Sequence, residues 1–122
     1  MPYIIYVGHR LRHRGEYVGR PTVLGNPFSS RGNTLALYAV ATAEEAVAKY
    51  ATWLDMLPRD SAPWNHLRSL AMRLRIDGQI TLLCWCASDL IEYEPGIRLC
   101  CHAVPIAACV KQLAEHHTEI GR

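Results

Sequence analysis

The chain has little net charge, few lysines, one phenylalanine and no long apolar run. A net charge of +2 over 122 residues, half of them hydrophobic, is typical of a folded chain and excludes disorder as the main state. The longest strongly apolar stretch, residues 80–87, has eight residues where about 20 are needed to cross a membrane. We therefore expect one compact domain over residues 1–122, with a buried core and no membrane partner.

A secretion signal is also missing from the sequence pattern. The apolar residues 3–7 are too few for a signal peptide, and basic residues follow them instead of preceding them. The five cysteines are an odd number, which argues against a disulfide scaffold and for a reducing compartment. We expect a protein of the bacterial cytoplasm whose thiols are buried, metal-bound or reactive.

Positive charge is concentrated near the amino terminus. Residues 1–32 carry a net charge of +4, whereas residues 33–122 carry a net charge of −2. Nearly all basic residues are arginines, since Lys49 and Lys111 are the only lysines. The planar guanidinium group suits phosphate and carboxylate, so this pattern predicts an anionic small molecule or a nucleic acid as partner. A solvated arginine-rich loop is the alternative.

The apolar pattern predicts an α/β fold with a short mixed sheet. Residues 80–87 are apolar except for Thr81, which is typical of a central strand buried on both faces. Residues 3–8 predict another buried strand, rich in β-branched and aromatic residues. Residues 16–19 predict a short strand that forms a hairpin with it.

About three helices are expected to flank this sheet. Thr42 and Glu45 form a capping box for a helix that stops before Pro58. A second helix follows Pro63 and closes at Gly78. The third begins near residue 101 or 102 and runs to about residue 118.

Cysteine and histidine are clustered at the end of the predicted central strand and at the start of the third helix. Cys84 and Cys86 flank Trp85, so both thiols point to one face of a strand. Cys101 and His102 follow at a loop-to-helix junction. If strand, loop and helix form one unit, these side chains meet, and they are of the types that zinc prefers. The sequence thus predicts a zinc site of Cys84, Cys86, Cys101 and His102, although C-x-C differs from the usual C-x₂-C spacing.

The same residues have two further interpretations. A helix dipole stabilises a thiolate at its amino terminus, and an adjacent imidazole can act as a base. Cys101 is then a candidate nucleophile and His102 its base, with Cys100 as the alternative thiol. In the other interpretation, Cys84, Cys86 and Cys109 are small core residues, as free cysteines commonly are. Metal binding, thiol chemistry and packing remain alternatives.

A second candidate site lies in the loop of residues 19–28. Arg20 follows a predicted strand, and Gly25 and Asn26 lie in a constrained turn before Pro27. Such a turn can present a guanidinium and backbone N–H groups to an anion. Pro27 favours an extended conformation for Asn26, which leaves its amide for a ligand or for capping the loop. We predict Arg20, Gly25 and Asn26 as ligand-binding residues, with a purely structural turn as the alternative.

Four motifs occur in order along the chain. They are V-G-R followed by G-N-P-F within residues 18–28, E-A…Y…W-L within residues 42–54, C-W-C at 84–86 and C-H at 101–102. Together they resemble an uncharacterised family of small domains of unknown function from phages and bacteria, over nearly the whole chain. The resemblance implies no activity. This chain has Ala103 and Val104 where the family tends to have a small residue and an acid, so no Cys-His-acid arrangement is implied.

Two hypotheses on function follow. The first is a small phage or bacterial accessory protein that binds or modifies a nucleotide, a nucleobase or a nucleic acid. Its cleft is expected at the carboxyl end of the central strand, between the 20–28 loop and the Cys/His group. The alternative is a non-enzymatic interaction module, a phage product that binds a host protein, in which the cysteines pack the core.

Overall fold

The secondary structure follows the predicted order of strands and helices. The protein was analysed as a computed structural model, which describes residues 3–20, 22–29, 38–39, 42–85, 89–97 and 101–116. In chain order its elements are β1 (Ile4–His9), β2 (Glu16–Tyr17), β3 (Phe28–Ser29), β4 (Tyr38–Ala39), α1 (Ala43–Met56), α2 (Ala62–Asp77), β5 (Gln79–Cys84), β6 (Ile91–Glu92) and α3 (Ala103–Glu115).

The main sheet is mixed, as predicted, and has the strand order β2-β5-β1-β6. β5 is parallel to β1 on one side and to β2 on the other, whereas β6 is antiparallel to β1. β3 and β4 form a separate parallel pair. The predicted central strand is therefore central, and α1, α2 and α3 account for the predicted helices among the described residues.

β5 ends earlier than the apolar run that predicts it. Leu82, Leu83 and Cys84 are buried, which confirms burial on both faces because neighbours in a strand point to opposite sides. Trp85 is exposed, and β5 ends before it. Residues 86–88 lie outside the described residues.

β2 pairs with β5 and not with β1, so the predicted hairpin is wrong. Residues 10–15 instead carry the chain from the end of β1 past β5 to its other edge. Gly15 permits this close approach, because a Cβ atom at this position would overlap the backbone oxygen of Thr81. An ion pair between Arg73 and Glu16, at 2.7 Å, then joins α2 to β2.

α1 begins at the predicted capping box. The Thr42 hydroxyl accepts a hydrogen bond from the backbone N–H of Glu45 at 3.0 Å. The helix ends before Pro58, and its buried side includes Tyr50 and Leu54. Both residues belong to the hydrophobic core.

α2 matches its predicted boundaries. Pro63 lies in the first turn, where a missing N–H costs nothing, and Gly78 ends the helix with a φ of 81°. One side of the helix is buried in the core and consists of Trp64, Leu67, Leu70, Ala71 and Leu74.

α3 starts directly after the C-H motif, as predicted, and packs against α2. α3 ends at Glu115 with His116 as its C-cap, three residues before the predicted end near residue 118, and residues 117–122 lie outside the described residues. One hydrophobic cluster joins the helices to alternate sheet residues, namely Ile5, Val7, Ile80, Leu82 and Cys84. No helix in the described ranges is long and apolar enough to cross a membrane.

Candidate functional site

The carboxyl ends of three parallel strands meet at one edge of the sheet. His9 at the end of β1 pairs with Cys84 at the end of β5, and β2 runs beside the same half of β5. The start of α3 reaches this edge too, because Cys101 contacts Cys84. Both regions that the sequence predicts as sites therefore lie near this edge.

The structure brings Cys84 and Cys101 into contact. Their Sγ atoms are 2.9 Å apart, and both side chains are completely buried. The Cys84 thiol also donates to the backbone oxygen of Gly8 at 3.9 Å, and Cys101 Sγ accepts from the N–H of Ala103 at 3.4 Å. The two thiols thus form a continuous chain of hydrogen bonds from the first turn of α3 to β1.

His102 lies beside the thiols but is oriented toward the loop after β2. Its Nε2 atom is 2.8 Å from the carbonyl oxygen of Val18, and its ring meets that of Tyr50 edge to face at 5.3 Å. Burial lowers the pKa of His102, although the bond to Val18 opposes this effect. The imidazole is therefore neutral at pH 7. Because a carbonyl only accepts, Nε2 carries the proton and Nδ1 keeps a lone pair.

Three of the four residues of the zinc hypothesis, Cys84, Cys101 and His102, lie in the described part of the chain. In the described part of the chain, no group of three or more histidine, cysteine and acidic side chains is placed to hold a metal ion. Cys86 and Cys100 lie outside the described residues. Two thiolates on one tetrahedral zinc stand about 3.8 Å apart, given Zn–S bonds of about 2.3 Å. The contact between Cys84 and Cys101 is shorter, so as arranged the two sulfur atoms do not have the spacing of two zinc ligands.

The predicted ligand-binding residues of the loop lie together and hold its shape. Arg20 Nη1 donates to the backbone oxygen of Asn26 at 2.9 Å, and Asn26 Nδ2 donates to the oxygen of Ala46 in α1 at 3.2 Å. A Cβ atom on Gly25 would lie 2.8 Å from Cα of Arg20, so only glycine allows this close turn. These bonds correspond to the structural-turn alternative, while ligand binding by the three residues remains a prediction.

Two tyrosines fix the same loop from opposite sides. The Tyr50 hydroxyl donates to the oxygen of Leu24, and the Tyr17 hydroxyl donates to the oxygen of Arg20, both at 2.6 Å. Tyr50 is fully buried, and desolvation raises its pKa far above the usual range. The loop is therefore anchored to α1 and to β2, and its backbone conformation is set before any ligand arrives.

A group of aromatic and cationic side chains lies at this edge and was not predicted as a site. We call His9, Arg10, Tyr17 and Trp85 the edge cluster. Trp85 Nε1 donates to the Tyr17 hydroxyl at 2.9 Å, and the His9 ring meets the Trp85 ring edge to face at 5.5 Å. The guanidinium carbon of Arg10 lies 3.8 Å from the Tyr17 ring centre and 5.9 Å from that of Trp85.

The edge cluster is hard to predict from the sequence, because its residues come together only through the pairing of distant strands. In the structure Arg10 directly follows β1 and Trp85 directly follows β5, and the ends of parallel strands meet at one edge. The apolar run through residue 87 instead placed Trp85 inside a buried strand. The wrong hairpin also placed Tyr17 beside β1 and not beside β5.

The surroundings of the edge cluster are positively charged. Arg10, Arg12 and Arg14 are exposed in the segment between β1 and β2. The nearest acid in the chain, Glu16 at the start of β2, is paired with Arg73 of α2. The positive charge of the segment is therefore not neutralised by this acid.

Comparison with known proteins identifies a family but no function. Residues 7–112 match the family described as Domain of unknown function (DUF4326). The match covers most of the chain, so the chain belongs to this family, and the resemblance to a family of unknown function is confirmed. No curated protein and no solved structure matches the chain.

Proposed function

We propose that this chain, a member of the DUF4326 family, binds a nucleotide at the carboxyl edge of its parallel strands. The base stacks on Trp85 of the edge cluster, and the arginines between β1 and β2 meet the phosphate. The observation that carries the proposal is the exposed indole of Trp85, 54% accessible and oriented by Tyr17 and His9.

Trp85 has the properties of a stacking platform. Its indole nitrogen already has a hydrogen-bond partner in Tyr17, and His9 limits its rotation. A ligand that stacks on a ring held in this way avoids part of the cost of ordering a side chain. Stacking of a base on an aromatic ring contributes about 1–3 kcal/mol and tolerates any base.

The charge of the segment supports a phosphate partner. Arg12 and Arg14 are exposed in the turn after Arg10, while Glu16 is paired with α2. Guanidinium groups bind phosphate oxygens through paired N–H donors. The resulting field attracts anions in general, so the selectivity for a nucleotide over a simple anion comes from the stacking contact.

The position of the site supports the same proposal. Ligands of open α/β sheets bind beyond the carboxyl ends of the strands, where this surface lies. Arg20, Gly25 and Asn26 belong to the adjoining loop, and Tyr17 links the two because its hydroxyl bonds both Arg20 and Trp85. The loop then forms the wall of the site and Arg20 its nearest predicted ligand residue.

The proposal assigns binding and no reaction. Cys101 is fully buried, and His102 is only 8% exposed, with Nε2 engaged by Val18. A catalytic role for this pair requires the start of α3 to open toward the ligand. Binding at the edge cluster needs no such movement.

The first test is a titration with adenosine monophosphate, with cytidine monophosphate, inorganic phosphate and adenosine as comparison probes. Calorimetry and tryptophan fluorescence should both detect binding of the monophosphates, and each comparison probe that lacks base or phosphate should bind more weakly. Trp85→Ala should lower the affinity about 10-fold or more, as loss of one stacking contact predicts. If the folded wild-type protein binds neither monophosphate, the proposal is disproved.

A matched control separates the edge cluster from arginine–aromatic stacking in general. Arg59 in the turn between α1 and α2 lies over the Trp64 ring at 3.9 Å. Arg10→Ala should weaken binding several-fold, whereas Arg59→Ala should leave it unchanged. Equal effects of both substitutions would contradict a site at the edge cluster.

The interaction-module alternative also has an observation in its favour. Leu11, next to Arg10, is 73% exposed, so this segment presents a large apolar side chain to solvent. Leu11→Ser should leave nucleotide affinity unchanged but weaken any protein partner that packs on this segment. A nucleotide affinity that depends on Leu11 as strongly as on Trp85 would contradict the stacking geometry.

A further inference from the structure

We propose that Cys84 and Cys101 form an oxidisable dithiol site, which a hydroperoxide converts into an intramolecular disulfide. Nothing in this proposal requires that the chain bind a nucleotide. The disulfide would join Cys84, at the end of β5 and next to Trp85, to Cys101, which precedes the N-cap of α3.

The sulfur atoms are already placed for this reaction. Their separation of 2.9 Å exceeds a disulfide bond, at about 2.05 Å, by less than 1 Å. Their chain positions are 17 residues apart, so the contact is made by the fold and not by local sequence. Core packing on all sides holds both side chains in place.

The hydrogen-bond chain defines the reduced state. Ala103 N–H donates to Cys101 Sγ, the Cys101 thiol donates to Cys84 Sγ, and the Cys84 thiol donates to Gly8. Each sulfur thus gives one hydrogen bond and accepts one, so the dithiol form is fully satisfied. It is the form expected in a reducing compartment.

The same contacts assign roles in the oxidation. The N–H of Ala103, in the first turn of α3, faces the position where negative charge develops on Cys101 Sγ. Because both thiols are fully buried, a peroxide reaches them only when the start of α3 opens. Cys101 Sγ attacks one peroxide oxygen, the O–O bond breaks, and the departing hydroxide takes up the thiol proton as water. Cys84 Sγ then attacks the sulfenic sulfur, the S–O bond breaks, and the second hydroxide leaves as water with the proton of Cys84. Two thiols and one hydrogen peroxide give one disulfide and two waters.

Cys109 provides the internal contrast. It is half-buried in α3. Within the described residues, no hydrogen bond joins its sulfur to a second sulfur atom. Cys109 should therefore not form the disulfide.

The test compares two variants that each keep two cysteines. Cys86→Ser, Cys100→Ser and Cys109→Ser leave the proposed pair, whereas Cys84→Ser, Cys86→Ser and Cys100→Ser leave Cys101 with Cys109. Each folded protein is treated with hydrogen peroxide, denatured, alkylated and weighed intact. The first should lose two hydrogens as a monomer, take up no alkyl group, and recover both thiols with dithiothreitol. The second should form no intramolecular disulfide, and its oxidation should instead appear as added oxygen on Cys101, because the resolving thiol of Cys84 is gone.

Three outcomes would overturn the proposal. The first concerns the variant that keeps only Cys84 and Cys101. If it is treated with a peroxide dose that oxidises free cysteine, and both thiols can still be alkylated after denaturation, the proposal is wrong. The second is a wild-type disulfide that fragmentation in the mass spectrometer assigns to residue 86 or 100. The third is wild-type protein that holds stoichiometric zinc and whose thiols become oxidisable only with a chelator. If a variant fails to fold, as circular dichroism would show, the wild-type fragmentation pattern decides by itself.

Discussion

The two residues Cys84 and Trp85 are neighbours in the chain but belong to opposite environments. Cys84 is fully buried and bonds to Cys101, whereas Trp85 is more than half exposed and bonds to Tyr17. Two residues of one sequence motif therefore belong to different groups: Cys84 to the buried group of Cys84, Cys101 and His102, and Trp85 to the exposed edge cluster. Proximity in a motif does not imply a shared function.

The two environments differ in what they expose to solvent. In the buried group, the thiols and His102 Nε2 bond to other protein atoms. In the edge cluster, the aromatic side chain of Trp85 is left to solvent. The buried group is thus suited to chemistry among the protein's own atoms, and the edge cluster to contact with a ligand.

The largest expected difference between the two regions concerns a matched pair of tyrosine hydroxyls. Tyr50 and Tyr17 each donate to a loop carbonyl at 2.6 Å, but Tyr50 is buried and Tyr17 is half-buried. Tyr50→Phe leaves the oxygen of Leu24 without its donor in the core and should cost about 1–3 kcal/mol of unfolding free energy. Tyr17→Phe should cost under about 1 kcal/mol, because water can replace the hydroxyl. Urea unfolding of both variants measures the difference.

Equal costs would contradict the contrast between the two environments. Tyr17→Phe has a second expected effect, because the hydroxyl also accepts from Trp85. Its loss should therefore weaken nucleotide affinity in the titration described above. Tyr50→Phe should weaken the affinity of the folded protein less than Tyr17→Phe does, because the Tyr50 hydroxyl bonds Leu24 and not Trp85.

Local sequence rules predicted the elements of the fold whose signals are local. The bond from Glu45 to Thr42 and the positive φ of Gly78 correspond to the predicted helix start and stop. The partner of β2 was not predicted, because it depends on Gly15 passing close to Thr81, a contact between distant residues.

The candidate site follows the same division. The sequence singled out Cys84, Cys101 and Arg20, and the structure places all three near one edge. It did not single out Arg10 or Trp85, since their proximity depends on parallel pairing of β1 and β5. Hydrophobicity alone assigns a tryptophan beside a buried strand to the core.

A smaller effect should separate the regions by their dependence on pH. Since burial lowers the pKa of His102 below its usual 6.5, the unfolded chain binds its proton more readily than the folded one. The contribution of His102 to the unfolding free energy is therefore fully present above pH 6.5. It declines as the pH falls from 6.5 toward the lower pKa of the folded state. The decline is at most about 1.4 kcal/mol per pH unit. Urea unfolding at several pH values should show a shallower decline in His102→Gln than in wild type.

His102→Gln suits this comparison because its amide can still donate to Val18. A decline equal to that of wild type would show that His102 does not carry the pH dependence. Trp85→Phe, a change in the edge cluster, should leave the decline unchanged. A change there as large as that caused by His102→Gln would show that the two regions are coupled.

The smallest expected effect on stability concerns Arg10, whose guanidinium lies over the Tyr17 ring. An exposed contact of this kind contributes about 0.5–1 kcal/mol. Arg10→Gln should therefore lower the unfolding free energy by no more than this amount, measured by urea unfolding, while it weakens nucleotide affinity several-fold. Comparing the two effects is informative. Substitution of a structural residue mainly lowers the unfolding free energy, whereas substitution of a ligand-binding residue mainly lowers the affinity. A stability loss comparable with that of Tyr50→Phe, with affinity unchanged, would place Arg10 in the framework of the fold and remove it from the proposed site.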